Sequence, residues 1–195
     1  FERLLVETKV TPDPNEVTWI NPDLSLGETR KVITGIPGKT GIVYTLDRAT
    51  GEFLWATPTI EQNVVVDIDG ATGEVTENPE IIFREAEQMV FVCPTWLGGK
   101  DWEAGAYSPL TNVMYYPLRN TCANMLATGN FESDTARALT EGGQGGLEIY
   151  QLAARHQLTP GTSNLGTVRA VSAETGNTEW LFETRAGTMS LVATG

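Results

Sequence analysis

The sequence predicts an all-β fold, and two observations support this prediction. Short runs of β-branched and aromatic residues alternate with turn residues along the whole chain, as at 42–46 and 89–92. A Thr-Gly pair followed four residues later by Trp occurs at Thr50 and again at Thr175. Two stretches are open to a helical interpretation, 134–139 and 147–156; both are short, and the second is equally compatible with a strand.

The predicted strands follow one another at short intervals. Residues 32–34 and 41–46 are predicted to form a hairpin, because the intervening 35–40 contain Gly and Pro. Further strands are predicted at 52–55, 64–66, 81–83, 89–92, 113–116, 168–171 and 180–182.

The Thr-Gly pattern indicates an internal repeat. Residues 46–55 match 171–180, and 107–116 resemble a degenerate copy in which Asn112 replaces Gly and Tyr116 replaces Trp. The Thr residues at 50, 111 and 175 are spaced by 61 and 64 positions. Such a period, with several strands per unit, is typical of a β-propeller. We therefore expect Trp55, Tyr116 and Trp180 at equivalent positions of successive blades.

The period divides the chain into about three four-stranded blades. The predicted units are 1–60, 61–125 and 147–195, with an inserted loop near 126–146 that includes the Gly-rich stretch 141–146. Propellers close with roughly four to eight blades, so three blades predict an arc that packs against the remainder of a larger propeller. A compact β-sandwich with ordinary Thr-Gly hairpin turns stays open as an alternative.

Composition and charge exclude several classes of partner. The 195 residues include 25 acidic and 13 basic side chains, for a net charge of −12. An acidic surface repels phosphate backbones and anionic lipids, so no nucleic acid and no membrane surface is expected as partner. No apolar run approaches the roughly 18 residues needed to span a bilayer. Because Phe1 is not an initiator and no leader pattern follows it, we expect more protein or a removed signal upstream.

Three collinear segments carry a resemblance to a known family. They are 38–52, then 91–109 with its Gly98-Gly99-Lys100-Asp101-Trp102 turn, and 166–180 with Thr175-Gly176 and Trp180. Together they closely resemble the quinoprotein alcohol dehydrogenases, which are periplasmic eight-bladed propellers that use pyrroloquinoline quinone (PQQ). The Thr-Gly-Trp repeat alone is weak evidence, since non-enzymatic propellers share it.

The resemblance implies a part of a periplasmic or secreted enzyme. Such an enzyme would oxidise a small primary alcohol by hydride transfer to PQQ and pass electrons to a cytochrome c. In the family, the catalytic Asp base and the calcium or lanthanide ligands come from segments N-terminal to the matched region. We therefore expect no catalytic base and no metal ligand in this chain, and no activity from the chain alone.

The resemblance also assigns three cofactor-binding residues. Lys39 matches the Lys or Arg that reaches the quinone oxygens, where a cation stabilises developing negative charge. Asp101 stands where the family usually has Asn; it could pair with Lys39, be protonated, or alter PQQ binding. Trp102 could line the cofactor cavity or pack between blades. Lys39 could instead be a solvated hairpin lysine, and Asp101 a turn residue that caps its own backbone.

Two cysteines, Cys93 and Cys122, are the only ones in the chain and lie 29 positions apart. In an acidic chain of this kind they indicate a disulfide, and the family has a bridge with the same spacing. Two buried free thiols are the alternative. A zinc site is not indicated, because His156 is the only histidine.

Two other motifs are interpreted as structural. Residues 67–70 resemble the start of a calcium loop, but the later ligands are missing, so a turn is predicted. The Gly-rich 142–146 lacks the Lys and Ser/Thr of a phosphate loop and is interpreted as a linker. The alternative functions are a non-catalytic propeller that serves as a scaffold or binding protein, and an inactive quinoprotein relative.

Overall fold

The regular secondary structure of the described residues is almost wholly β-strand. A computed structural model describes residues 3–85, 87–127, 152–187 and 189–194. Its strands are β1 (Leu4–Lys9), β2 (Trp19–Ile20), β3 (Thr29–Gly35), β4 (Ile42–Asp47), β5 (Phe53–Pro58), β6 (Val65–Ile68), β7 (Val75–Glu77), β8 (Met89–Val92), β9 (Ala106–Ser108), β10 (Val113–Arg119), β11 (Thr121–Ala127), β12 (Leu152–Leu158), β13 (Gly166–Ser172) and β14 (Thr178–Thr184). One turn of 3-10 helix, Pro79–Ile81, accompanies these strands in the described part of the chain.

The strands form four antiparallel sheets. Sheet A has the order β1-β3-β4-β5-β2, sheet B the order β14-β13-β10-β9, and sheet C the order β12-β11-β8. The two strands β6 and β7 form a separate hairpin. Sheet A is a four-stranded unit with the two-residue β2 added at its edge, and sheet B is a four-stranded unit. The predicted all-β fold is confirmed.

Most predicted strands lie where the sequence places them. The predicted hairpin is confirmed: β3 and β4 pair with Gly35 opposite Tyr44, and the loop 36–41 joins them. The predicted strand at 81–83 is wrong. Pro79 begins a 3-10 turn there, and the Asn78 side chain accepts a hydrogen bond from the main-chain amide of Glu80, which favours the turn over an extended chain.

The two candidate helices have different outcomes. In the described part of 147–156 the chain is extended, and residues 152–158 form β12, paired with β11. The other stretch, 134–139, lies outside the described residues.

The Thr-Gly turns at 47–52 and 172–177 have the same construction. In each, the glycine has a positive φ, and its amide donates to the carbonyl four residues earlier, at 2.8 Å and 3.0 Å. A β-bulge follows at the same place in both hairpins, so Trp55 lies opposite Thr45 and Trp180 opposite Ala170. These two tryptophans therefore occupy equivalent positions, as the repeat predicts.

The degenerate copy at 107–116 is a different structure, and the predicted equivalence of Tyr116 is wrong. Residues 109–112 join β9 to β10, and Tyr116 lies inside sheet B opposite Arg169. Asn112 does adopt the left-handed conformation expected of it, with φ of 56°. The turn between β9 and β10 is short and polar like the Thr-Gly turns, so its sequence resembles the repeat. Its strands nevertheless occupy other positions in their sheet.

The third Thr-Gly turn lies at 69–74, between β6 and β7. The Gly73 amide donates to the Asp69 carbonyl at 2.7 Å, and the Glu74 amide donates to the Thr72 hydroxyl at 3.2 Å. Both bonds have counterparts in the other two turns. The Asp69 carboxylate accepts from the Thr72 amide and hydroxyl, which lowers the pKa of Asp69. The structure therefore has the predicted turn at Asp69-Gly70, directly after β6.

Sheet B draws its strands from two of the predicted units. The strands β9 and β10 precede residue 120, whereas β13 and β14 begin at Gly166, and β10 pairs directly with β13. Residues 120–165 are thus inserted between two neighbouring strands, and two of the inserted strands, β11 and β12, belong to sheet C. The predicted insertion near 126–146 falls in this segment, and 128–151 lie outside the described residues.

Sheets A and B pack face to face around the main core. Trp55 is fully buried there, beside Val17 and the Gly176 turn of sheet B. The amide of Thr11 donates to the Glu174 carbonyl at 3.0 Å, which fixes the segment after β1 onto that turn. The equivalent Trp180 is 47% exposed. The same tryptophan position is therefore a core residue in sheet A and a surface residue in sheet B.

Two smaller cores complete the fold. Ile42, Phe53 and Ile68 lie in a cluster between sheet A and the β6–β7 hairpin. Val90, Ala123 and Met125 cluster on sheet C, with residues 81 and 83 packed against them. The hydrophobic residues of 81–83 thus serve packing although they form no strand.

We expect Gly176→Ala to destabilise the chain more than Gly51→Ala. Both glycines have φ near 80°, so both substitutions introduce the same backbone strain, of about 1 kcal/mol. A Cβ at 176 would lie 2.6 Å from Val17 and 3.2 Å from the Trp55 ring, whereas nothing lies within 4 Å at 51. Overpacking adds roughly 1–3 kcal/mol. Urea unfolding of both variants measures the difference, and equal losses would contradict the packing role of Gly176.

Candidate functional site

The hairpin loop 36–41 carries Lys39 away from sheet A. Gly41 ends the loop with φ of 75°, and the Gly41 carbonyl accepts hydrogen bonds from the amide and the hydroxyl of Thr59, at 2.9 Å and 2.5 Å. Thr59 is buried, so these bonds are shielded from water. The loop is therefore fixed at the end of β5, with Lys39 at its tip.

The Gly98-Gly99 turn packs directly on this loop. The Gly99 amide donates to the Lys39 carbonyl at 2.8 Å, and the Gly99 carbonyl accepts from the Arg119 amide at 2.7 Å. A Cβ at 98 would lie 2.9 Å from the Lys39 side chain, and one at 99 would overlap Ile60. Position 98 requires glycine for this approach, because its φ is 83° and a Cβ there would meet Cβ and Cγ of Lys39, whereas a side chain at 99 would require Ile60 to move.

The structure brings Lys39 and Asp101 together. The Lys39 ammonium lies 3.6 Å from Asp101 Oδ2 and donates to the Trp96 carbonyl at 3.1 Å. The side chains are 46% and 25% exposed, so solvent weakens the pair. Of the arrangements considered for Asp101, the structure shows the one in which it pairs with Lys39. Its role in binding a cofactor stays a prediction, as does that of Lys39.

A buried lysine supports the turn that carries Asp101. Lys100 is 2% exposed, and its ammonium donates to the carbonyls of Asp101 (3.1 Å) and Glu103. The Glu103 carboxylate accepts from Arg119 at 3.3 Å, and both of these side chains are largely buried. The sequence analysis quoted Lys100 as part of the motif without giving it a role. Two glycines precede Lys100 and an aspartate follows it, and this local sequence does not indicate that the lysine side chain is buried.

The two nearby tryptophans are both exposed. Trp102 is 80% exposed, so it does not pack between sheets in the described structure. Trp96, which the sequence analysis missed, is also largely exposed, and its ring lies 6.3 Å from the ring of His156 on β12. The site therefore has a cation, a carboxylate and two accessible indoles on neighbouring segments.

The predicted disulfide is confirmed. Cys93, just after β8, is bonded to Cys122 at the start of β11, and both are buried. The Cys93 amide donates to the Asn63 side chain at 2.7 Å, and the Asn63 amide donates to the Cys93 carbonyl at 2.9 Å. The bridge thus joins the end of β8 to the start of β11 within sheet C, and the Asn63 hydrogen bonds tie Cys93 to the segment after β5.

The described residues contain no group of three or more His, Cys, Asp or Glu side chains placed to hold a metal ion. Within these same residues, no helix is long and apolar enough to cross a membrane.

Comparison with known proteins places this geometry in context. No family model matches the sequence. The chain is 31% identical over 105 residues to a lanthanide-dependent methanol dehydrogenase of Methylacidiphilum fumariolicum. The match covers 54% of the chain and 17% of that protein. It is 27% identical over 175 residues to subunit 1 of a methanol dehydrogenase [cytochrome c] of Methylorubrum extorquens, covering 84% of the chain and 26% of that protein.

The fold is also similar to that of a methanol dehydrogenase. A solved structure of a europium-containing methanol dehydrogenase matches with a TM-score of 0.64 at 23% identity, over 84% of this chain and 27% of that one. The architecture is thus that of a β-propeller segment, as found in quinoprotein dehydrogenases. The chain is thus similar in sequence and in fold to part of alcohol and methanol dehydrogenases that include quinohemoproteins, in agreement with the resemblance of its motifs. It spans about a sixth to a quarter of the length of the two relatives named above.

Reduction of the disulfide should destabilise the chain. The bridge closes a loop across 29 positions, and loop-closure models give about 3–4 kcal/mol for this length. We expect the double variant Cys93→Ala/Cys122→Ala to lose stability of this order in urea unfolding. Intact mass before and after reductant is the control: the native chain must gain two hydrogens and the variant none. A variant as stable as the native chain would contradict the expectation.

Replacement of Lys100 by Met should destabilise the turn. The unbranched Met side chain keeps most of the length of Lys but leaves the carbonyls of Asp101 and Glu103 without this donor. An unsatisfied buried polar group costs about 1–3 kcal/mol. Lys31→Met on β3, where the side chain is exposed, is the matched control and should change stability little. Equal unfolding free energies for both variants would show that Lys100 does not support the turn.

Proposed function

We propose that the chain is part of a PQQ-dependent alcohol dehydrogenase and that its Lys39–Asp101 pair lies at the cofactor. One observation carries the proposal. An accessible ammonium lies 3.6 Å from a carboxylate at a junction that only glycine permits, on the two motifs that the family shares. A propeller used only as a scaffold would need none of these features.

The residues present fit PQQ in their donor chemistry. PQQ, when bound, supplies the ortho-quinone that accepts a hydride from the alcohol. The Lys39 ammonium has three donors, of which the Trp96 carbonyl takes one and Asp101 attracts another. The remaining donor suits an anionic oxygen of the cofactor. The exposed Trp102 indole offers a flat apolar face on the residue next to Asp101.

The proposed role of Asp101 is to orient Lys39. A carboxylate accepts hydrogen bonds but cannot donate them, unlike the Asn usual in the family. At 3.6 Å it holds the ammonium in place and offsets part of its charge. Lys39 is then preorganised to stabilise negative charge that develops on the quinone oxygen, which is the main electrostatic contribution expected of it.

The rest of the proposed function follows from the relatives. The substrate would be a small primary alcohol and the electron acceptor a cytochrome c, since one relative is named for that acceptor. Calcium or a lanthanide would be held by residues outside this chain. A periplasmic or secreted location is supported by the disulfide, because such bonds persist in oxidising compartments.

A non-catalytic propeller scaffold is the second candidate. The observation that favours it is the exposed apolar surface of β14, where Trp180, Leu181 and Phe182 all face solvent in part. Apolar patches of this kind mark association surfaces. An assembly surface and a cofactor site are compatible, so this observation does not argue against the first candidate.

We expect Lys39→Ala to impair the complete PQQ-loaded enzyme. One preorganised electrostatic contact is worth about 10²–10³ in turnover, and the loss should appear as weaker PQQ retention on dialysis or slower alcohol oxidation. Lys39→Arg should retain much of the function, because it keeps the charge. Asp101→Asn should be tolerated, and Lys31→Ala on β3 is the control for loss of a lysine charge. Full PQQ retention and turnover in Lys39→Ala would overturn the proposed site.

A further inference from the structure

A nearly buried ion pair ties the turn that carries Asp101 to sheet B. The guanidinium of Arg119, at the end of β10, lies 3.3 Å from the Glu103 carboxylate, and the two side chains are 17% and 8% exposed. The side chains of the Lys39–Asp101 pair are more exposed. Because solvent screens their charges, their own attraction holds them only weakly in one geometry. The position of the exposed pair therefore depends on the main chain that carries it.

Arg119 contacts this turn on both sides of Asp101. Its main-chain amide donates to the Gly99 carbonyl at 2.7 Å, two residues before Asp101. Its guanidinium donates to the Glu103 carboxylate, two residues after Asp101. The turn is thus attached to the end of β10 at its first and at its last residue. One attachment would let the turn rotate about the point of contact, whereas two attachments restrict that rotation.

Lys100 connects the buried ion pair to Asp101. Its buried ammonium donates to the main-chain carbonyl of Asp101, at 3.1 Å, and to that of Glu103. A shift of Glu103 would therefore be transmitted to the main chain of Asp101. The carboxylate of Asp101 in turn lies 3.6 Å from the Lys39 ammonium. Each step from the buried ion pair to the Lys39 ammonium is thus a direct contact.

We propose that Arg119 and Glu103 are positioning residues for the Lys39–Asp101 pair. The proposal rests on the proposed function, in which that pair lies at the cofactor. A buried ion pair adds little net stability compared with apolar side chains of similar size, because both charges lose their hydration. It does favour one geometry, since the guanidinium and the carboxylate must meet to offset that loss. The main effect of the buried pair is therefore on the position of the turn.

The first experiment separates position from stability in the chain itself, without cofactor. The double variant Glu103→Leu/Arg119→Met replaces the ion pair by apolar side chains and keeps the main-chain bond to Gly99. Its urea unfolding should stay close to that of the native chain. The Gly99 amide, which donates to Lys39, should nevertheless exchange its hydrogen about tenfold faster relative to the slowest core amides, as expected for loss of one charge-assisted hydrogen bond. Unchanged relative exchange at Gly99 would overturn the proposal.

A second ion pair provides the matched control. Arg30 pairs with Glu52 at 2.6 Å near the start of β3, whereas the loop with Lys39 follows the end of that strand. Arg30→Met/Glu52→Leu removes the same two charges and should leave the relative exchange of Gly99 unchanged. Equal acceleration in this control would overturn the proposal, because the effect would then be one of charge alone.

A conservative variant decides the question if the first double variant does not fold. Glu103→Asp keeps the charge and withdraws the carboxylate from Arg119 by one methylene. Because the ion pair is weakened rather than removed, the Gly99 amide should exchange about threefold faster relative to the core amides. Unchanged relative exchange in this variant would overturn the proposal.

The complete PQQ-loaded enzyme tests whether the buried pair acts through Lys39. The Glu103→Leu/Arg119→Met variant should slow alcohol oxidation about tenfold, which is part of the about 10²–10³ expected for Lys39→Ala. Combined with Lys39→Ala it should add little further loss, because residues that act through one another are not additive. Additive losses would overturn the inference and leave the proposed function standing. Full turnover in Lys39→Ala would overturn the proposed function, and the exchange of Gly99 would still decide whether the buried pair positions the turn.

Discussion

The main chain of Gly99 connects the parts of the molecule on which the candidate site depends. Its amide donates to Lys39 on the sheet A hairpin, and its carbonyl accepts from Arg119 at the end of β10 in sheet B. The turn can come this close only because neither Gly98 nor Gly99 has a side chain. Main-chain hydrogen bonds thus hold the Lys39 loop beside the turn that carries Asp101. The ion pair between the Lys39 and Asp101 side chains adds to this arrangement.

Four cations of this acidic chain have specific partners or surroundings in the described residues. Arg30 pairs with Glu52 at 2.6 Å and lies 3.6 Å from Asp47, at the two ends of the first Thr-Gly turn. Burial lowers the pKa of Arg169 between the sheets, with Glu16 partly compensating. Lys100 is buried beneath the turn that carries Asp101. Lys39 differs from these three, because its ammonium is half exposed and so is available to a ligand.

The sequence predicted the local features of the fold well, because hairpins are local. The β3–β4 hairpin and the Thr-Gly turns depend on residues within ten positions of one another, and their Gly and Thr side chains form the observed contacts. The error at Tyr116 arose because a polar turn between β9 and β10 resembles the repeat in composition. Which sheet a strand joins depends on residues far apart in the chain, and turn composition does not specify it.

The candidate site was predictable in its residues but not in its supports. Lys39, Asp101 and the cysteines stand in motifs that can be recognised in one sequence. The contact of the Gly98-Gly99 turn with the Lys39 loop forms only when segments more than 50 positions apart pack together. The local sequence of neither segment indicates this contact.

The insertion of sheet C strands into sheet B explains why the site lies where it does. In sheet A the strands β3, β4 and β5 follow one another directly, whereas in sheet B residues 120–165 intervene between β10 and β13. The two sheets share the same hairpin with its bulge and tryptophan, so the insertion is what distinguishes them. It begins at the end of β10, where Arg119 holds Gly99, and two residues later reaches the disulfide at Cys122. The extra chain thus holds Cys93 covalently through Cys122, and Met125 on β11 packs with Val90 on β8. In the described residues, the repeated hairpins thus provide Lys39, and the insertion after β10 contributes Cys122, the disulfide partner of Cys93.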